Sequence, residues 1–311
     1  MDPKNKMDGN SMLQMKRFGT LALVAALSFA LVACGKSRTV KISASEVERS
    51  KTPAKLPAEI EKLWKNRHNE ADLRQALVSL EQFANENPQF SDVKVLLCRG
   101  NYLMGDGHLW LKLTGDADAD AAVKAESIKF YDAAVGWCEA ALALNPKFRD
   151  KVVKDGIEVE KALDTLGPED IDALYWRYAS LGKWSRLSGF TTLLANRSKF
   201  TAMINRVKEL EKDMGKEYFY AATLRYDAAS NALSPTGDKK LADKYFEEAI
   251  KRHPNYFAVR VLYAESRLKG DEAKFKSQLD YVIKGNPKSL PELEPDQIVE
   301  QRKAKKLLED I

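Results

Sequence analysis

The chain has 311 residues, of which 44% are hydrophobic and 31% charged, and its 50 basic and 45 acidic residues give a net charge of +5. This length suffices for one large globular domain or two small ones. The charges are interspersed and form no basic block, and nucleic-acid binding needs clustered Lys and Arg, so no nucleic-acid partner is expected.

The N-terminal residues predict a bacterial lipoprotein signal. Lys16 and Arg17 precede an uncharged apolar run over residues 21–33, which is too short to span a bilayer because that takes about 20 residues. A basic flank, a short apolar segment and a small-residue exit are typical of a secretory signal. The exit, Leu-Val-Ala-Cys ending at Cys34, resembles the lipobox of bacterial lipoproteins at every position. We therefore predict a signal peptide over residues 1–33; an N-terminal membrane helix and a conventional soluble export signal are the alternatives.

Lipidation of Cys34 would attach the protein to a membrane. Acyl chains contribute about 0.8 kcal/mol per buried CH₂, so that two or three of them form a stable anchor. Gly35 rather than Asp follows the cysteine, and in a host with two membranes this predicts the outer membrane, facing the periplasm. The polar residues 34–56 predict a tether that could reach ~70 Å when extended.

Two further cysteines, Cys98 and Cys138, lie in apolar helical surroundings. Export would permit a disulfide between them. Free cysteine is, however, among the residues most often buried in protein cores. We therefore expect two buried thiols.

From Pro57 onward the chain predicts one helix after another, with no convincing alternating strand. The clearest helix covers residues 238–252, where Asp238 is a good N-cap and the apolar side chains share one face. Later helices are predicted over residues 256–269, from Asp271 to about Gly285, and from Pro295 to the end.

A degenerate repeat is also visible. Pro254 and Pro287 each close a second helix and are 33 residues apart, and alanines lie five and twelve residues before both Pro254 and Pro146. This spacing resembles the second half of a tetratricopeptide repeat, in which small residues let paired helices approach closely. We predict an all-α fold over residues 57–311, an array of antiparallel helix pairs with a concave face, with a generic helical bundle as the alternative.

Two stretches resemble a known family. One is Ala-Leu-Tyr-Trp at 173–176 followed by Ala-Ser-Leu-Gly-Lys-Trp at 179–184; the other runs from Tyr226 to the end and includes Phe-Glu-Glu-Ala-Ile at 246–250. They resemble the T component associated with tripartite ATP-independent periplasmic (TRAP) transporters, over most of residues 70–311. The basic residues of the family's Tyr-Gly-Leu-Arg-Ala-Leu run are missing here.

The resemblance implies a lipid-anchored periplasmic helical-repeat protein that is not the permease. It implies work with the substrate-binding P component, with a hydrophobic ligand handled in a cleft. It also implies self-association as a ring, for which we expect a trimer. The alternative is a tetratricopeptide-like lipoprotein that scaffolds the assembly of envelope proteins.

The chain shows no set of residues that indicates an enzyme. No two of His68, His108 and His253 share metal-ligand spacing, and neither a nucleophile motif nor a phosphate-binding glycine loop is present. We therefore predict no catalytic residues, no metal and no cofactor. His108 is expected to be an ordinary loop histidine.

An acidic run over residues 115–120 imitates the start of a calcium loop. It has Ala121 where the loop needs glycine and Ser127 where it needs glutamate. The run is better interpreted as a solvated helix start, with its carboxylates near the positive end of the helix dipole.

Aromatic residues form two clusters in the sequence, and they provide the candidate ligand site. The simpler interpretation is that these rings fill the interfaces between packed helices. Rings facing a cleft are the alternative, because they bury apolar area and keep a polar edge. The candidate ligand-binding residues are Tyr175, Trp176, Tyr178, Trp184, Phe219 and Tyr220.

Overall fold

The computed structural model describes Lys36, residues 38–40, Ile42, Ala44 and residues 46–310. The signal peptide and Cys34 lie outside this part of the chain. Within it there are thirteen α-helices and no strand, which confirms the all-α prediction; the repeat type stays a prediction. The helices are α1 Ala58–Lys65, α2 Glu70–Glu86, α3 Ser91–Leu103, α4 Ala117–Leu142, α5 Pro146–Val153, α6 Ile171–Leu187, α7 Phe190–Ala195, α8 Arg197–Met214, α9 Ala222–Leu233, α10 Lys239–Arg252, α11 Phe257–Tyr263, α12 Glu272–Lys284 and α13 Glu294–Glu309.

Helix starts follow the caps that the sequence offers. Asp116 caps α4 by accepting hydrogen bonds from two backbone N–H groups of the first turn, so the acidic run is a helix start, as predicted. Asp238 caps α10 in the same way, and Asp271 caps α12. Within the part of the chain that the structure describes, none of the helices has the length and apolar character of a membrane span, and acidic, histidine and cysteine side chains form no group of three that could hold a metal ion.

The core has three parts. The central core lies between α3, α4, α6 and α8, and the C-terminal core lies between α9 and α13. The N-terminal core joins α1, α2 and α3 and also contains Val299 of α13, which is fully buried there. The last helix therefore packs against the first ones, and the array of helices closes on itself.

Buried ion pairs support this closure. The side chain of Arg67, after α1, donates from Nε to Asp296 of α13 at 2.8 Å. Asp106 forms ion pairs with Lys183 of α6 and with Lys303 of α13, the latter at 3.2 Å. The two ammonium groups outweigh the effect of burial and hold the pKa of Asp106 well below its usual range.

Asp106 lies on a π-helical turn over Met104–Leu109 that follows α3 directly. The turn contains Gly105 because a Cβ there would lie 2.7 Å from the ring of Tyr131. His108 belongs to the same turn, so its prediction as a loop residue is wrong. Its side chain is buried with Nε2 2.9 Å from a backbone carbonyl, and burial lowers its pKa.

Cys98 and Cys138 form a disulfide between α3 and α4, and the expectation of two thiols is wrong. Their Cα atoms are 5.5 Å apart and both side chains are fully buried. The sequence shows that each cysteine lies on an apolar helix face. It does not show the register in which α3 and α4 pack, and that register is what brings the sulfur atoms together.

The N-terminal segment differs from the free tether expected over residues 34–56. Its described residues form no helix or strand, and several of them contact the helices. Arg38 is buried and forms ion pairs with two carboxylates of α4, and Arg49 forms another with Asp170. The backbone N–H of Ala54 donates to a carboxylate at the start of α3 at 2.8 Å. We call this stretch the N-terminal strap.

The disulfide gives a first prediction. It closes a loop of 40 residues, so the Cys98→Ala/Cys138→Ala variant should lose ~2–4 kcal/mol in free energy of unfolding, because its denatured chain is less constrained. Guanidinium denaturation without reductant measures this loss.

The matched control adds reductant to both proteins. Reductant should lower the denaturation midpoint of the parent towards that of the variant and leave the variant unchanged. A parent that is insensitive to reductant even after unfolding would show that the two cysteines are not bridged.

Candidate functional site

The candidate site is a group of contacting aromatic rings where the central and C-terminal cores meet. Phe219 packs against both cores. Its ring centroid is 5.3 Å from that of Trp176 and 5.9 Å from that of Tyr256. We call this group the aromatic site; it comprises Tyr102 of α3, Tyr175, Trp176 and Tyr178 of α6, Tyr218, Phe219 and Tyr220 before α9, and Tyr256 before α11.

The rings before α9 are held by an unusual backbone turn. Phe219, Tyr220 and Ala221 have φ values of 38°, 54° and 58°, in the left-handed region. Each such non-glycine residue costs of order 1–3 kcal/mol and persists only where the surroundings impose it. Strain of this kind is typical of positions where a ligand or partner is bound.

Arg225 of α9 imposes the turn. Its guanidinium is buried and donates to the carbonyl oxygen of Phe219 at 2.8 Å and to that of Tyr220. It also donates to the hydroxyl of Tyr175 at 3.1 Å and lies 4.6 Å from the centroid of the Tyr256 ring. One buried cation therefore fixes the strained turn and the facing rings together.

Arg99 of α3 supplies a second cation. Its guanidinium carbon lies 5.2 Å from the ring centroid of Trp176 and 5.5 Å from that of Phe219. Within the described part of the chain, the structure gives it no hydrogen bond and no carboxylate partner. The indole N–H of Trp176 is buried and likewise has no acceptor there.

Three tyrosines of the site are held neutral by burial, so they do not balance these cations. Burial raises the pKa of Tyr102, Tyr178 and Tyr218 well above their usual range. Two carboxylates at the rim accept hydrogen bonds from tyrosine hydroxyls, Asp172 from Tyr218 at 2.6 Å and Glu292 from Tyr220. The site therefore combines apolar rings and two arginines with carboxylates at its edge.

The structure brings most of the predicted candidate residues together. Five of the six predicted residues belong to it, and the structure joins the two sequence clusters through Tyr175, Trp176 and Phe219. Trp184 is buried in the central core two turns further along α6, and no ring contact joins it to the site within the described residues. Ligand binding by any of these residues stays a prediction.

Three tyrosines of the aromatic site and the two arginines beside it are not among the predicted residues. Tyr218 lies in the second aromatic cluster, next to Phe219. Tyr102 and Tyr256 lie far from both clusters in the chain and join them only through folding. Arg99 carried a usable signal, since it is a charged residue directly after the apolar run Leu96-Leu97-Cys98. Arg225 carried none, because nothing in the sequence showed that the turn before it is left-handed.

The fold and the site define a closed helical-array protein with a cationic aromatic site. The chain belongs to the family described as the TRAP transporter T-component, whose sequence model matches residues 111–311. This confirms the resemblance found in the sequence, and the match covers α4 to α13. No curated protein matches the chain. The protein therefore has an accessory role in a TRAP transport system and is associated with the cell envelope; the family is not known as one of enzymes.

The site gives a second prediction. Arg225→Ala should lower the free energy of unfolding by about 2–4 kcal/mol, because the strained carbonyls lose charged donors. Arg225→Lys should recover only part of the loss, since one ammonium group cannot reproduce the guanidinium fork. Chemical denaturation measures both.

The matched control is Arg252→Ala, which removes an exposed arginine from ion pairs with Glu217 and Glu248. Exposed pairs contribute little, so this change should cost less than about 1 kcal/mol. Equal losses for Arg225→Ala and Arg252→Ala would contradict the structural role of Arg225.

Proposed function

We propose that this protein is a lipid-anchored accessory component of a TRAP system that docks the substrate-binding P component and holds an apolar ligand with an anionic group at the aromatic site. Membership of the T-component family supports the docking role. The observation that supports a ligand is that Arg99 and the indole N–H of Trp176 have no hydrogen-bond acceptor among the described residues, while aromatic rings lie next to both.

The chemistry of the ligand follows from the donors that these two residues leave open. The indole N–H of Trp176 is buried, and a buried donor without an acceptor costs about 1–3 kcal/mol. Arg99 is half-buried, and its guanidinium, which has no acceptor among the described residues, is within reach of a ligand. A carboxylate would accept from the guanidinium of Arg99 in a bidentate manner and could also accept from an indole N–H. The surrounding rings would bury the apolar remainder of the ligand. The proposed ligand is thus an amphipathic carboxylate.

Anchoring, location and assembly complete the proposal. Cys34 carries the lipid, the membrane is the outer membrane, and the body of the protein faces the periplasm, where a soluble P component is found. The protein self-associates, and we propose a trimer. The lipobox supports the anchor, and the family resemblance supports the self-association.

Docking is tested with the purified lipoprotein and the P component encoded beside it. We expect one complex by size-exclusion chromatography and a saturable heat of binding by calorimetry. A solute-binding protein from an unrelated uptake system is the control and should not bind. Absence of a complex, or equal binding of the control, would contradict the docking role and favour the scaffold alternative.

Ligand binding gives a further prediction, with decanoate and decanol as matched probes. The parent should bind decanoate more tightly. Arg99→Gln should weaken decanoate binding by roughly tenfold or more, since a hydrogen bond between charged groups contributes ~1.5–3 kcal/mol. It should leave decanol binding unchanged. Isothermal titration calorimetry and native mass spectrometry provide the measurements.

Lys305→Gln is the control, because it removes an exposed positive charge of α13 that has no ion pair within the described residues. It should leave both affinities unchanged. If the parent bound neither probe, or bound both equally, the assignment of an anionic ligand to Arg99 would be wrong.

A further inference from the structure

The described N-terminal chain ends on one particular surface. The backbone N–H of Lys36 donates to Oγ1 of Thr192 in α7 at 2.9 Å. Arg38 holds the neighbouring chain in place, because its buried guanidinium forms ion pairs with Asp132 at 2.6 Å and with Glu139 at 2.8 Å. The point at which the strap begins is therefore fixed beside α7.

This point determines where a lipid on Cys34 must lie. Cys34 precedes Lys36 by two residues, and two extended residues span at most about 7 Å. The acyl chains that the lipobox predicts would therefore enter a bilayer within a few ångströms of α7. The bilayer surface must then pass close to the side chains that α7 exposes.

The helix α7 exposes two large apolar side chains, and a third lies at the end of α6. Phe190 and Leu194 are 61% and 50% exposed, and Leu187 at the end of α6 is 36% exposed. Phe190 and Leu194 are four residues apart on one helix, so they lie on the same face of α7. No described residue covers this face.

The stretch of sequence that contains the apolar face carries charges of one sign. Residues 173–208 contain seven Lys and Arg residues and no Asp or Glu. Four of the seven are used in ion pairs with carboxylates from outside this stretch. The other three, Arg186, Arg197 and Lys199, are exposed and have no ion-pair partner within the described part of the chain.

We propose that α7 and its neighbours form a second membrane contact. In this arrangement Phe190, Leu194 and Leu187 enter the boundary between lipid headgroups and acyl chains, and Arg186, Arg197 and Lys199 lie against anionic headgroups. We call these six residues the α7 surface. Apolar side chains at this depth, flanked by basic residues, are typical of proteins that lie on anionic membranes.

The α7 surface would have a different effect from the lipid. Acyl chains alone hold a protein at the membrane and leave it free to tilt. A second contact beside the anchor fixes which side of the protein faces the bilayer. The inference rests on the acylation of Cys34, which is part of the proposed function, and does not depend on ligand binding or on docking of the P component.

The test uses nitroxide labels on the full lipidated protein in vesicles of phosphatidylethanolamine and phosphatidylglycerol. An introduced cysteine would be the only thiol, since Cys34 is acylated and Cys98 and Cys138 are bridged. Phe190→Cys and Leu194→Cys report on the α7 surface. Val78→Cys and Leu233→Cys are the controls, because these side chains are 63% and 49% exposed at other places in the fold.

Membrane contact predicts a distinct pattern of paramagnetic relaxation. At positions 190 and 194 the label should collide readily with oxygen, which concentrates in lipid, and roughly tenfold less with a water-soluble nickel complex than at the control positions. Equal access of the nickel complex at all four positions would place the α7 surface in water and overturn the inference. Low access of both reagents at positions 190 and 194 would show a protein partner or second copy there, and would overturn it as well.

Two further measurements separate the parts of the inference. Mass spectrometry of the parent shows whether Cys34 is acylated; without acylation both the anchor and the α7 surface are wrong. Arg197→Glu/Lys199→Glu should raise nickel access at position 190 on vesicles that contain phosphatidylglycerol but not on neutral phosphatidylcholine vesicles. If the double substitution changed nickel access at position 190 equally on both kinds of vesicle, Arg197 and Lys199 would not contact anionic headgroups.

Discussion

The closed shape of this protein depends on the ion pairs of one carboxylate, that of Asp106. It lies on the π-helical turn after α3 and pairs with Lys183 of α6 and Lys303 of α13, so one charge joins the early, middle and late parts of the chain. Taking these groups out of water is costly, and the cost is recovered only when all of them are paired. The pairing therefore favours one relative arrangement of the three helices over others of similar apolar burial. The aromatic site lies between helices that this arrangement sets in place, since its members come from α3, α6 and the turns before α9 and α11.

The site combines two kinds of constraint that serve different purposes. Arg225 is fully used by the fold, because the carbonyls of the left-handed turn and a tyrosine hydroxyl accept its hydrogen bonds. Arg99 is used only by ring faces. Arg225 and Arg99 both lie close to the ring of Phe219 but differ in what they can offer a ligand. Arg225 maintains the geometry of the site, and Arg99 has hydrogen-bond donors that no described residue accepts. This division is the physical basis for assigning an anionic group to the ligand and for expecting Arg99→Gln to affect binding without unfolding the protein.

Much of the fold was predictable from the sequence, because the signals were local. The caps at Asp116, Asp238 and Asp271 and the apolar faces of α10 and α12 depend on residues a few positions apart, and the structure confirms these helices. Five of the six candidate residues lie in two short aromatic stretches that the structure brings together; that they bind a ligand stays a prediction. The misses all required knowledge of how distant helices pack. The Cys98–Cys138 disulfide needed the register of α3 on α4, the π-helical turn that holds His108 needed the ring of Tyr131 over Gly105, and Trp184 required knowing which face of α6 turns into the central core.

The N-terminal strap has a consequence for how the protein would meet a partner. A free tether of about 20 residues would let the body sample a wide volume and all orientations above the membrane. A strap held by Arg38, Arg49 and Ala54 against the helices removes nearly all of that freedom before any partner arrives. With Cys34 acylated and the α7 surface on the bilayer, the body would diffuse in two dimensions at a constant height and with a constant face towards the periplasm. A soluble partner would then search for a surface that is already oriented, and the rotational entropy of the membrane-bound protein would not have to be lost again at each encounter.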